Sequence, residues 1–378
     1  MASKRTINRT VELMLTMFGV WPGIPCVILY SWMITLAINQ FLHYQYFVMH
    51  FNFNNLFDLM DCLSSFLAHM KLTAMLIISS LKQRKFIEIL TMMAEDWNDC
   101  DNTGVALRET ASKAKLSSRI CNGLIILHTF AGLAYAIGIL LADADVTDRT
   151  AELPLMMKME YPFVIDTQRK YSLVLATQFI FVMACSWGTG LFNALLLTLT
   201  LHVVSQINTL LCWLTEVGSN EIGKTNDSFV TAMSKIIRKH QKIINLSENI
   251  ENLFSYIALL QFTSNTVIIC SLGFLIVTAM GSPDATEQII KSLLFYTLTN
   301  LEAFIFCFAG EYLSNKSKAI GNAAYNFAWY DIKAKDSCVL LFIILRSQKQ
   351  LKLTAGKMSV LSLEYFTNVR YVEENPLL

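Results

Sequence analysis

The chain has 378 residues, 54% of them hydrophobic and only 16% charged, with a formal net charge of +1. A soluble domain of this size carries about 25% charged residues, so this composition calls for a lipid environment and excludes a soluble globular class. The near-neutral balance also excludes the concentrated basic face that a nucleic-acid partner requires, and no low-complexity or single-sign tract marks a disordered tail.

Taken in chain order, Lys4, Arg5 and Arg9 precede an apolar run that starts near Ile24 and continues to Met49 with no Asp, Glu, Lys or Arg. That is too late and too long for a cleavable signal peptide, so it is a retained membrane span. Leu56–Leu81 is the second span and carries Asp58, Asp61 and Lys71; the two aspartates suit a first turn, where the helix dipole favours carboxylates. Ile120–Ala142 is the third and is free of charge. Tyr171–Thr215 has no charged residue at all and as one helix would run about 67 Å. It is either two spans turning near Gly188 and Gly190 or one helix that projects into water. Leu253–Met280 and Ile289–Gly310 follow, separated by the polar loop Gly281–Gln288. Leu353–Tyr371 is a weaker last span, interrupted by Lys357, Glu364 and Arg370.

Loop charge decides between the two readings of Tyr171–Thr215. With one long helix there are seven spans, and 22 of the 30 Lys and Arg fall on the N-terminal side: the N-tail, 82–119, 205–252 and 311–352. Only 5 fall on the other side, in 142–170 and at Arg370, while Lys71, Lys291 and Lys357 lie within spans. Positive charge stays cytoplasmic, so the expected fold is an all-α membrane protein with seven transmembrane helices and a cytoplasmic N-terminus. The glycosylation-type triplets at Asn8, Asn226, Asn245 and Asn315 all fall on the cytoplasmic side of this map. The nine cysteines avoid the outer segment 142–170, so no disulfide framework is expected.

The cytoplasmic segments have their own pattern. Ile243, Leu246, Ile250 and Leu253, with Ile236 one heptad earlier, form an apolar seam. Cys338–Leu345 is an eight-residue apolar run of ~12 Å as a helix, too short to cross a bilayer, and is expected to be buried against protein outside the membrane. The segments 216–252 and 311–352 are therefore read as helices that pack together, within one subunit or between subunits.

No catalytic signature occurs. The six histidines (His43, His50, His69, His128, His202, His240) pair with no Cys, Asp or Glu at ligand spacing, and no nucleophile elbow, zinc-protease, P-loop or dinucleotide motif is present. No catalytic residue, metal or cofactor is expected. The odd span count, with no internal repeat, opposes a secondary transporter. The inverted charge map opposes a G-protein-coupled receptor, whose Asp-Arg-Tyr and Asn-Pro-x-x-Tyr motifs are absent.

The C-terminal third carries a specific pattern: Ala324-Tyr325 through Trp329-Tyr330, then Arg346-Ser347-Gln348-Lys349, Leu353-Thr354-Ala355-Gly356-Lys357, and Ser362-Leu363-Glu364 with Phe366. In order and spacing it resembles the signature of the insect odorant receptors. The gustatory motif Thr-Tyr-x5-Gln-Phe is not found. The resemblance implies a single seven-helix unit over 1–378 that serves as the tuning subunit of an odorant-gated non-selective cation channel. It further implies assembly with the shared olfactory co-receptor in a heterotetramer, in the dendritic cell membrane of olfactory neurons. It makes 216–252 and 311–352 a cytoplasmic anchor and 353–378 the pore-helix region. It also places the pocket for a small volatile odorant in the outer half of the bilayer among spans two, three, four and six. By helix and depth the candidates are Phe66 and His69, Thr129 and Tyr135, Phe179 and Met183, and Phe295 and Tyr296. Lys71 and Glu302 lie at matching depths on spans two and six, where unpaired charges are costly, so a salt bridge between them is expected. The ending, Arg370 to Leu378 with Glu373 and Glu374, departs from the apolar pore helix of the family and reads as a truncated form or as an acidic outer mouth. Two other functions stay open: a seven-helix receptor acting through a G protein, which an exposed N-terminus would favour, and a non-signalling membrane scaffold.

Overall fold

The computed structural model describes residues 6–51, 56–100, 104–141, 154–220, 226–280, 285–327, 330, 334–364, 366 and 367. In chain order these form α1 (Arg9–Met17), α2 (Cys26–Met49), α3 (Leu56–Leu81), α4 (Gln83–Cys100), α5 (Gly104–Leu141), α6 (Gln168–Asn220), α7 (Asn226–Ala279), α8 (Ala285–Tyr325), α9 (Ala334–Gln348) and the short strands β1 (Thr354–Ala355) and β2 (Ser359–Val360). Six of the described helices, α2, α3, α5, α6, α7 and α8, are long and apolar enough to cross a bilayer. Four of these, α5 to α8, run well past the apolar runs that announce them, so their polar ends continue beyond the hydrocarbon as a helical bundle with α1, α4 and α9.

Which face each helix buries follows from its residues. Helix α2 buries only Leu29, Leu36, Asn39 and His43. Val27, Tyr30, Ile34, Phe41, Tyr44 and Val48 stay exposed along one stripe. In water such a stripe would be an aggregation hazard, whereas lipid satisfies it. Helix α6 is the opposite case, with nearly every residue from Leu191 to Ile207 buried. It is a single helix through Gly188 and Gly190. Those glycines serve close packing rather than a turn: a Cβ at 188 would collide with Leu72 of α3, and one at 190 would stand 2.8 Å from the His128 ring of α5. Small residues that let backbones approach are the usual means of packing helices in lipid. The seam of α7 (Ile236, Ile243, Leu246, Ile250, Leu253) is fully internal.

Two expectations are modified. The apolar run of α9 buries Leu340 and Ile343 but leaves Leu341, Phe342 and Leu345 more than half exposed, because a helix lying on α8 has one face to bury and its other face finds no partner among the described residues. The segment expected to enter the membrane at Leu353 opens instead as a β-hairpin, with Thr354 opposite Val360 and Ala355 opposite Ser359. Gly356 and Lys357 both take left-handed backbone, φ 60° and 61°, which a helix cannot accommodate. The hairpin docks on α7. The Gly356 N–H donates to the Ser255 carbonyl (2.8 Å), the Thr354 N–H donates to Glu251 Oε2 (2.9 Å), and the Thr354 hydroxyl donates to Glu251 Oε1. A side chain at 356 would stand 2.7 Å from Leu259. Trp329 and residues 368–378, including Arg370, Glu373 and Glu374, lie outside the described residues.

The hairpin also fixes the middle of α8. A Cβ at Gly310 would strike the Leu361 carbonyl and lie 2.7 Å from the Leu361 Cβ. Because the obstacle is backbone, Gly310→Ala is expected to cost about 1–3 kcal/mol, read as a lower thermal midpoint of the detergent-solubilised chain. An unchanged midpoint would show that the hairpin does not pack there.

Candidate ligand-binding site

Four helices converge around a cavity of about 90 Å³, several times the ~10–15 Å³ that one water molecule needs by the same kind of measure. Helix α3 contributes Ser65, Ala68, His69 and Lys71, and α5 contributes His128, Ala131, Gly132 and Tyr135. Val182, Cys185, Ser186 and Thr189 come from α6; Leu294, Phe295, Leu298 and Glu302 come from α8; Met157 closes it from the segment between α5 and α6. Most of the wall is apolar, with polar groups gathered at particular points, the usual design of a small-molecule site.

At the inner end Lys71 Nζ donates to Glu302 Oε2 at 2.6 Å and to Asn265 Oδ1 at 3.1 Å. Gln261 Nε2 donates to the same Glu302 oxygen at 2.5 Å, and Asn265 Nδ2 donates to the Thr299 carbonyl at 3.1 Å. Lys71 is 2% and Glu302 5% exposed. Two opposite charges desolvated to this degree are tolerable only as a satisfied pair. The two amides supply that satisfaction and tie α3, α7 and α8 together beneath the cavity.

The outer end is closed by residues 154–161. Gln178 of α6 accepts from the Met156 N–H at 2.9 Å and donates to the Met157 carbonyl at 3.0 Å. Tyr135 donates to the Met156 carbonyl (3.2 Å) and Tyr171 to the Pro154 carbonyl (2.8 Å). These bonds seat the buried Met157 as a plug over the cavity, with Met156 buried beside it. Lys291 lies 4.3 Å above the Tyr135 ring, close enough for a cation–π contact that holds α8 to the plug.

Of the residues singled out from the sequence, His69, Tyr135 and Phe295 line this cavity together with Lys71 and Glu302. Thr129, Phe179 and Met183 line a separate, almost wholly apolar lateral groove with Trp32, Ile180 and Trp187. Met183 forms the wall between the two, since its sulfur would lie 2.8 Å from a Cβ at Gly132. Phe66 turns to α2, its ring 6.5 Å from that of His43 and its carbonyl accepting from Gln40. Tyr296 packs half-buried on the core. Of the C-terminal motif, Thr354, Ala355, Gly356 and Lys357 make the hairpin, and Ser347 Oγ would meet a Cβ at Gly321 at 2.6 Å. The Phe366 ring sits edge-on to Phe304, 5.9 Å away. Arg346 Nη1 donates to the Lys349 carbonyl, Gln348 ends α9, and Tyr325 and Tyr330 are exposed.

The sequence reading missed a second buried charge cluster, at the basic end of the bundle. Asp96 of α4 receives Lys239 Nζ at 2.9 Å and Lys242 Nζ at 3.3 Å on one oxygen, and lies 3.1 Å from His202 Nε2 on the other. His202 Nδ1 is 3.1 Å from the Thr6 hydroxyl, which also accepts from Trp97 Nε1 at 2.7 Å. Burial alone would raise the Asp96 carboxyl, but the hydrogen bond to His202 and the Lys239 ammonium outweigh it and hold it well below the usual carboxylate range.

A family model described as "7tm Odorant receptor" matches residues 55–370. Among curated proteins, the chain is similar to odorant receptor Or2 of Anopheles gambiae, with 30% identity over 188 residues, 48% of this chain and 49% of that protein. It is similar to odorant receptor 67c of Drosophila melanogaster, with 30% identity over 40% of this chain and 35% of that protein. The matched stretches thus span between a third and a half of these relatives. With odorant receptor 13a of Drosophila melanogaster identity is 22%, over 96% of this chain and 86% of that protein. Among solved structures, the fold is similar to the insect olfactory receptor OR5 from Machilis hrabei: TM-score 0.77, 15% identity, 97% of this chain and 95% of that one. It is also similar to the same receptor in complex with eugenol, at TM-score 0.74, 14% identity and the same coverage.

Proposed function

The chain belongs to the insect odorant receptor family, a family of all-α seven-helix membrane receptors, and from that premise we propose that it binds a small volatile odorant in the cavity among α3, α5, α6 and α8 and thereby opens a cation conductance. The observation that carries the reading is the cavity itself: an apolar chamber within the bilayer, plugged outside by Met157 and floored by the Lys71–Glu302 pair. Its position between a plug and an interhelical network makes it a place where occupancy can change helix packing. A ligand opens the conductance to the extent that it binds the open packing better than the closed one.

The conducting assembly is a heterotetramer with the olfactory co-receptor, in which this chain is the odorant-tuning subunit and 216–252 and 311–352 form the cytoplasmic anchor. The exposed face of α9, with Leu341, Phe342 and Leu345, supports subunit contact there: an apolar face outside the membrane calls for a protein partner. Residues 353–378, which open on the docked hairpin, are the pore-helix region. Whole-cell recording tests the proposal. Cells expressing this chain with an insect co-receptor are expected to give odorant-evoked inward cation current, and the co-receptor alone is expected to give none to the same odorants. Odorant responses that need a G protein and persist without a co-receptor would transfer the chain to the metabotropic reading.

A further inference from the structure

His69 projects from α3 into the cavity, is 3% exposed, and has one ring nitrogen committed: Nδ1 lies 2.8 Å from the Ser65 carbonyl. A carbonyl oxygen only accepts, so Nδ1 carries the proton and Nε2 of the neutral ring presents a lone pair. Among the described residues no acidic side chain hydrogen-bonds either nitrogen, and Nε2 has no hydrogen-bond partner. The Phe181 carbonyl also lies near the ring, but it is itself only an acceptor and cannot satisfy that lone pair. A buried acceptor left unpaired is costly, and a group that donates to it recovers that cost.

The hydroxyls around the cavity do not donate to Nε2, because each already donates to main chain. Ser65 donates to the Cys62 carbonyl (3.0 Å), Ser186 to that of His128 (2.6 Å) and Thr189 to that of Cys185 (3.1 Å). The cavity charge is balanced, since Lys71 and Glu302 neutralise each other at 2.6 Å. An ammonium or carboxylate ligand would bring an uncompensated charge to the same depth, which is unfavourable.

Resting on the receptor reading above, we propose that the cavity selects neutral, hydroxyl-bearing ligands, alcohols or phenols, whose O–H donates to His69 Nε2 while the hydrocarbon body lies on Ala131, Val182, Leu298 and Phe295. Ethers, aldehydes and ketones of the same shape only accept, so they bury the His69 lone pair without pairing it. A site built around a hydroxyl discriminates strongly against its absence.

The test uses the full chain, purified in lipid nanodiscs, with matched sets: 2-phenylethanol, its methyl ether and phenylacetaldehyde, and 1-hexanol, its methyl ether and hexanal. Affinity is read from the concentration dependence of the thermal midpoint. At least one alcohol is expected to bind about tenfold or more tighter than its own ether and aldehyde. His69→Phe is expected to bring that alcohol down to the level of its ether while ether binding survives, which also shows that the variant is folded. His69→Gln, which can still accept, is expected to retain part of the preference. Equal affinity within every set, binding by no alcohol, or a preference that survives His69→Phe would overturn the inference. If odorant-evoked current is recorded with a co-receptor but no alcohol preference appears, the ligand class is wrong and the receptor reading stands. If alcohols are preferred through His69 but no odorant gates a current in any partner context, the receptor reading fails and the binding chemistry stands.

Discussion

Lys71→Met is expected to leave the Glu302 carboxylate in the middle of a helix bundle with only Gln261 to satisfy it, and Glu302→Leu to strand the Lys71 ammonium in the same way. Breaking a buried ion pair from one side costs about 3–5 kcal/mol, a large part of the 5–15 kcal/mol that typically separates folded from unfolded chains. Either single variant should therefore be poorly delivered to the cell surface and melt well below the parent in detergent. The exchange Lys71→Glu with Glu302→Lys restores neutrality, and Gln261 and Asn265 can turn their amides to serve the swapped groups. It should recover most of the loss, leaving a coupling energy of the size seen between contacting residues, about 0.5–3 kcal/mol. Losses that simply add in the double variant would mean that the two groups do not act as a pair.

Asp96→Asn should be comparably severe at the cytoplasmic end. Among the described residues it removes the one carboxylate that Lys239 contacts, leaving that ammonium, 7% exposed, with only neutral acceptors, the substituted amide oxygen and Gln206 Oε1. Lys242 keeps Glu95 and Asp99 as partners, so Lys239→Met in the same background should restore much of the stability. A midpoint unchanged in Asp96→Asn would show that the cluster contributes nothing. The pH dependence has a definite sign. A carboxyl held below its unfolded value of ~3.9 contributes stability that is fully present above that value and is lost as pH falls through the lower folded one. The contribution of Asp96 is therefore expected to be flat from about pH 5 to 8, and a loss across that window would have to come from another group.

Long-range order was legible wherever composition encodes it. The 45-residue charge-free stretch read as one helix because splitting it would have moved basic loops across the membrane, and α6 runs unbroken from Gln168 to Asn220. Lys71 and Glu302 were matched by depth, since charge in an apolar run is rare and needs a partner. Depth does not give the azimuth, however. On α6, Met183 turns to the lateral groove while Val182, Cys185 and Ser186 turn to the cavity, and on α8 Phe295 lines the cavity while its neighbour Tyr296 does not. Helical periodicity places a residue on a face, but packing decides what that face meets. Gln261 and Asn265 were available as a signal, two amides one helical turn apart in a span without charge. Asp96 and Lys239, far apart in sequence and each on a polar surface by pattern, gave none. The hairpin was announced by Thr-Ala-Gly-Lys, whose glycine reads more naturally as a turn than as the start of a span.

The most direct test of where ligand acts is a structure of the full chain with the odorant that gates it most effectively. The ligand is expected between α3, α5, α6 and α8, in contact with Phe295 and Ser186 and beneath Met157. A ligand seated instead in the lateral groove, against Trp32, Phe179, Ile180 and Trp187, with the inner chamber unchanged, would contradict the account.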